Sequence, residues 1–204
     1  MMRMGLACVG ALLAAGCSTS TGITKPADVS GSGSASASTS VSAATTSQPQ
    51  VSSTLTEPHP PPNHWNDGTS YDPCLTYTAE QIRSWGVDPA QVDDRGVEDR
   101  QVRGCRWSAD GWSIGLTVAN TKASSYLDPE LFDNPRPITI AGLDGVIYQG
   151  GNASAPGCTV SLPVQNASVG VIVLIFDPKR AKGVSDPCAK ATEVATAVAP
   201  TLPK

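Results

Sequence analysis

From Tyr71 onward, short apolar runs are separated by Gly, Asn, Asp and Pro, the pattern of a domain built mainly from β-strands. Six runs read as strands: Val102 to Ser108, Trp112 to Ala119, Pro137 to Ile140, Gly145 to Gln149, Cys158 to Val164 and Val169 to Phe176. Ser108-Ala109-Asp110-Gly111 and the stretch from Gln165 to Ser168 read as hairpin turns, so the sheet is expected to be largely antiparallel. The run from Val169 to Phe176 has no polar alternation, which predicts a central strand covered on both faces.

Two stretches carry helical signals instead. Thr78-Ala79-Glu80-Gln81 has the form of a capping box; it opens a short helix that buries Ile82 and Trp85 and stops at Gly86. After Asp186-Pro187, the residues Cys188, Ala191, Ala195, Val198 and Leu202 recur every three or four positions. That spacing gives a last helix with one face of small side chains. The predicted fold class is α+β: a largely antiparallel sheet flanked by an N-terminal and a C-terminal helix, in a single domain over residues 71–204.

Upstream the pattern changes. Residues 18–56 hold 20 Ser or Thr in 39 positions, and Pro58, Pro60, Pro61 and Pro62 follow. So little apolar surface cannot offset the entropy of ordering, which makes residues 17–70 a disordered tether with an r.m.s. span of roughly 40 Å. Arg3, the apolar stretch Met4 to Ala15 and the small residues ending at Gly16 form the parts of an export signal over residues 1–16. The stretch is shorter than the roughly 20 residues a spanning helix needs. Leu13-Ala14-Ala15-Gly16-Cys17 reads as a lipoprotein processing site, with Cys17 as the acylated new N-terminus. The expected location is therefore the exported face of the cell membrane, with the membrane itself as a partner through the lipid anchor.

An exported chain meets an oxidising compartment, so Cys74, Cys105, Cys158 and Cys188 are expected to form two disulfides. Three pairings are possible. The matching Asp-Pro-Cys triplets favour Cys74 with Cys188, and the two Gly-Cys strand starts favour Cys105 with Cys158. Spacings of 31, 53 and 30 residues without any Cys-x-x-Cys argue against a zinc site. The formal net charge is −4, and the signs are interspersed, as in Asp93-Asp94-Arg95. No basic stripe marks a nucleic-acid surface.

The lipoprotein-type N-terminus, the Ser/Thr tether, Gly104-Cys105-Arg106-Trp107, Ile140-Ala141-Gly142 and Asp186-Pro187-Cys188-Ala189-Lys190-Ala191 come in a telling order. In that order they resemble a family of actinobacterial lipoproteins, the LprB-like group of mycobacteria and relatives, built on an uncharacterised domain of the DUF3558 type. The resemblance implies a cell-envelope location and an α+β domain. It carries no catalytic residue that can be transferred.

The residues themselves give no reaction. His59 and His64 lie in or beside the Pro-rich tether, where nothing is expected to hold an imidazole against a nucleophile, and the carboxylates are scattered. No catalytic residue, metal ligand or cofactor is assigned, and the chain is read as non-enzymatic. The leading function is an adaptor or binding module for an envelope protein or a cell-wall component, with Arg106, Trp107, Trp112 and Tyr126 as candidate anchors. The alternative is a carrier of a lipid or small apolar ligand, held between the strand Val169 to Phe176 and the helix Ala189 to Val198.

Overall fold

The computed structural model describes residue 55, residues 59–152 and residues 155–204. Seven strands form one antiparallel sheet: β1 (Asp88–Asp94), β2 (Arg103–Ala109), β3 (Trp112–Ala119), β4 (Asp133–Ile140), β5 (Leu143–Asn152), β6 (Ala155–Val164) and β7 (Ala167–Ile175). Their spatial order is β1-β2-β3-β7-β6-β5-β4, so two meanders meet where β3 pairs with β7. The all-apolar run does lie at the centre. A single helix, α4 (Pro187–Val198), packs on β5, β6 and β7. The connection from β3 to β4 passes over the opposite face through a 3-10 turn at Ala123–Leu127.

The two faces differ in chemistry as period-two alternation requires. Ile114, Leu116 and Val118 of β3, Val169, Val171 and Val173 of β7, and Val160 and Leu162 of β6 are fully buried. In register they share one face, and Ala191, Val194, Ala195 and Val198 of α4 meet it with no exposed surface. Each buried valine there contributes about 1.5 to 3 kcal/mol. The opposite face carries Ser113, Thr117, Thr159, Ser161 and Ser168, all buried. Ile172 and Leu174 on that face are only half-buried, so the central strand is not fully covered on both sides as its sequence predicts.

At the N-terminal end of the domain, two short helical segments stand in place of a flanking helix, α1 (Pro73–Thr76) and α2 (Ala79–Ser84), and a further single turn, α3 (Arg95–Glu98), links β1 to β2. The capping box is present at α2, with Thr78 Oγ1 accepting from the Gln81 N–H at 3.2 Å and the Gln81 side chain accepting from the Thr78 N–H at 2.9 Å. The Ile140-Ala141-Gly142-Leu143 turn has φ of 51° at Ala141 and 80° at Gly142. These are the two left-handed positions of a two-residue hairpin. Gly104 answers a different need: with φ at 147°, a Cβ there would lie 1.9 Å from the Leu116 carbonyl oxygen of the paired strand.

The sheet edges are β1 and β4. The β1 ladder skips between Asp88 and Val92, while β4 carries Pro135 and Pro137 and is irregular between Asp133 and Arg136.

The disulfides are Cys74–Cys105 and Cys158–Cys188, with Cα atoms 5.3 Å and 4.9 Å apart. This corrects the expected pairing of Cys74 with Cys188 and Cys105 with Cys158. Strand order is the reason: β2 and β6 are three strands apart, about 14 Å at ordinary strand spacing. A disulfide needs Cα atoms within about 7 Å. The repeated Asp-Pro-Cys triplet marks a shared helix start and not a shared bond. Asp72 Oδ1 accepts from the Cys74 N–H at 2.9 Å, Asp186 Oδ1 accepts from the Cys188 N–H at 2.8 Å, and each proline takes a first-turn position.

Hydroxyl groups, and not sulfur, join the two ends of the domain. Thr201 Oγ1 donates to the Val198 carbonyl at 2.8 Å, which leaves it to accept from Tyr77 Oη at 2.8 Å. Tyr77, its proton committed, accepts in turn from Tyr71 Oη at 2.7 Å. Burial pushes both tyrosines above their ordinary pKa.

Candidate functional site

The four expected anchors do not form one exposed patch. Trp107 is 2% exposed and Trp112 is 4% exposed. Both side chains alternate onto the α4 side of the sheet, where Trp107 meets Trp85 edge-on with ring centres 6.3 Å apart. A core position is what strand parity gives them, because Cys105, Trp107, Ile114 and Leu116 share that face. Arg106 points to the opposite face and is tied to its neighbours: it donates to Asp93 at 2.8 Å and to Glu98 at 3.4 Å. Tyr126 is half-buried and stacks on Tyr148 with ring centres 5.4 Å apart, and Phe132 meets both rings.

This aromatic trio lies over the hydroxyl-bearing face. Beneath it is a cavity of about 40 Å³ lined by Thr117, Tyr126, Tyr148, Thr159, Ser161 and Ser168, among others. Ser161 Oγ is buried there without a hydrogen-bond partner. The volume suits one or two waters. Burial raises the Tyr148 phenol to about 12, against the opposing effect of its hydrogen bond with Thr159.

The carrier reading places a pocket between β7 and α4. That interface is filled: Val171, Val173, Val194 and Ala195 are fully buried against one another. A larger groove, about 740 Å³, lies instead at one end of the sheet. The β4–β5 turn (Ala141, Gly142, Leu143), the end of β6 (Pro163, Val164, Gln165) and the last residues of the chain (Leu202, Pro203, Lys204) line it. It is mainly apolar, with Gln165 and Lys204 as its polar groups. Its volume falls within the range of small-molecule and peptide sites.

A third cluster lies in residues that were expected to be tether. His59 Nδ1 is 2.6 Å from Asp94 Oδ2, and its Nε2 is 3.2 Å from Asp72 Oδ1. Arg103, 4% exposed, stands 3.5 Å from Asp72 Oδ2 and donates to the backbone carbonyls of Asn66 at 3.1 Å and Thr69 at 2.7 Å. Residues 63–70 are held further by Asn120. Its N–H donates to the Trp65 carbonyl at 2.7 Å, and its amide donates to the His64 carbonyl and to Asp67. The domain therefore begins before Tyr71, and the expectation that nothing positions His59 is overturned. Sequence reasoning missed this because every one of these contacts joins a polar residue to a partner far along the chain.

His59 and the sulfurs of Cys74 and Cys105 all lie within 4.8 Å of one another. Both sulfurs are in a disulfide. A metal needs thiolates, so this group does not fit a metal as it stands. Cys17 and its processing motif lie outside the described residues.

A family model described as "protein of unknown function (DUF3558)" matches residues 12–201. The chain belongs to the DUF3558 family. No curated protein and no solved structure matches this DUF3558 chain.

Proposed function

We propose that this DUF3558 chain is a non-enzymatic binding module of the cell envelope, an exported lipoprotein of the LprB-like mycobacterial kind held on the outer face of the membrane by acyl chains on Cys17. Its partner is an envelope protein or a cell-wall component. The observation that carries the reading is the groove of about 740 Å³ at the end of the sheet. Apolar walls supply burial energy, while Gln165 and Lys204 offer a donor and a charge to fix orientation. The tryptophans no longer serve as anchors, since Trp107 and Trp112 belong to the core. Arg106 and Tyr126 remain on the other face, each already engaged by its own neighbours.

The same apolar walls favour a second reading, a carrier of a lipid or small apolar ligand, now seated in the groove instead of between sheet and helix. Native and denaturing mass spectrometry of the protein purified from an actinobacterial envelope separates the two. A non-covalent adduct that Leu143→Glu abolishes, with the circular dichroism spectrum intact, supports the carrier. A bare mass, together with cross-links from Lys204 to one envelope component that Leu143→Glu removes, supports the adaptor. Neither adduct nor Leu143-dependent cross-link overturns both.

A further inference from the structure

The His59 cluster has a property that none of the readings above uses. A neutral imidazole donates through only one ring nitrogen and presents a lone pair at the other. Here both nitrogens face carboxylate oxygens, at 2.6 Å and 3.2 Å. A neutral ring would set one lone pair against a negative oxygen, whereas an imidazolium donates to both. From these contacts we propose that His59 is a proton-operated latch that holds residues 59–62 on the domain.

The charges around the ring are few and named. Asp72 faces it from the start of α1, Asp94 from the end of β1, and Arg103 on β2 reaches it through Asp72. With His59 protonated the four groups sum to zero. With His59 neutral a net charge of −1 remains, on groups that are at most a quarter exposed. The ring's pKa is raised: the hydrogen bond with Asp72 is the largest effect, burial opposes it, and Asp94 adds to it.

What the latch holds follows from the adjoining sequence. Pro60, Pro61 and Pro62 have no N–H and form a stiff extended spacer, so among the described residues 59–62 the ring is the polar grip, and the next is Asn63, whose amide donates to the Arg100 carbonyl at 3.0 Å. With the latch open, Asn63 becomes the first described residue with a polar hold on the domain. Released, residues 59–62 add roughly 13 Å of reach when extended. The latch stands without the proposed anchor on Cys17; only its meaning as a change in leash length rests on that reading.

The sign is fixed by the direction of the shift. Grip is complete below the pKa of histidine in the unfolded chain, about 6.5, and is lost as pH rises through the higher folded value. The test uses the full chain in solution, with ¹⁵N NMR of the two histidine rings and the ¹H–¹⁵N heteronuclear NOE of the backbone amides of residues 59 and 63–70, from pH 5.5 to 9. We expect both His59 nitrogens to be protonated at pH 6, and the NOE at residue 59 to fall by at least half as the ring titrates. His59→Gln should show the low value at residue 59 at every pH while residues 63–70 keep theirs. His59→Lys, which restores a cation, should regain part of the lost NOE and show no titration in this range. A His59 ring that is neutral at pH 6, or an NOE at residue 59 unchanged in His59→Gln, overturns the latch. Either result leaves the binding-module reading untouched, because that reading is tested at the groove.

Discussion

Removing the Cys158–Cys188 disulfide tests the fold's covalent logic. The bond closes a loop of 30 residues between β6 and the first turn of α4. In the chain-entropy account a loop of that length stabilises the folded state by about 3.6 kcal/mol at 25 °C. The double variant Cys158→Ala, Cys188→Ala should therefore lose about 3 to 4 kcal/mol in urea unfolding, with a melting temperature lower by roughly 7 to 14 °C. The Cys74–Cys105 loop has 31 residues, so loop entropy predicts a similar loss for that pair. Both of its cysteines are buried, at 4% and 1% exposure, and Cys74→Ala, Cys105→Ala should lose more because core contacts go with the bond. The rejected pairing would close loops of 188 − 74 = 114 and 158 − 105 = 53 residues, about 4.8 and 4.1 kcal/mol on the same scale. Stability alone separates the two patterns poorly, so the decisive assay is a non-reducing peptide map. A peptide linking Cys74 to Cys188 would refute the argument from strand order, and a loss under about 1 kcal/mol in the Cys158, Cys188 variant would refute the loop-entropy magnitude.

Four further outcomes are expected. Trp107→Ala should destabilise by about 3 to 5 kcal/mol in chemical denaturation, whereas Arg106→Ala, with surface ion pairs only, should stay within about 1 kcal/mol. Tyr77→Phe removes the middle hydroxyl of the Tyr71–Tyr77–Thr201 chain and should lose about 1 to 3 kcal/mol, read by thermal melts; an unchanged melting temperature would mean the chain is not formed. Ser161→Ala should be neutral or slightly stabilising, because it deletes a buried oxygen that has no partner; a loss above about 1 kcal/mol would place an ordered water on that hydroxyl. Acid should weaken the cluster at its other limit. Burial works against the Asp72 carboxylate, yet His59, the Cys74 N–H and Arg103 hold its pKa below the usual 3.8. Its contribution is present above 3.8 and is lost as pH falls through the lower folded value, so urea midpoints should drop there by less in Asp72→Asn than in the parent chain.

The sheet was legible where burial follows the two-residue period. Trp112–Ala119 matches its predicted run at both ends, and the α4 start follows from Asp186-Pro187. β1 went unread because Asp-Pro-Ala-Gln-Val-Asp-Asp has the composition of a surface loop, and only the β2 ladder makes it a strand. The tryptophans show the limit of residue type as a guide. An aromatic side chain serves a core or an interface equally well, and strand parity decides between them once register is known. The His59 cluster was invisible for a different reason: Asp72 and Asp94 lie 13 and 35 residues away, so no local pattern announces them.

The two margins of the sheet bear on how copies of this protein live beside one another. If the chain is anchored as proposed, its copies meet far more often than the same number dispersed in a volume, and an open strand margin is a template for joining them end to end. On β4, Pro135 and Pro137 remove two N–H groups from that template. On β1, the break between Asp88 and Val92 and the acidic residues Asp88, Asp93 and Asp94 spoil the other. On the proposed anchored reading, a crowded layer of this protein would lack two ready strand margins along which its copies could join.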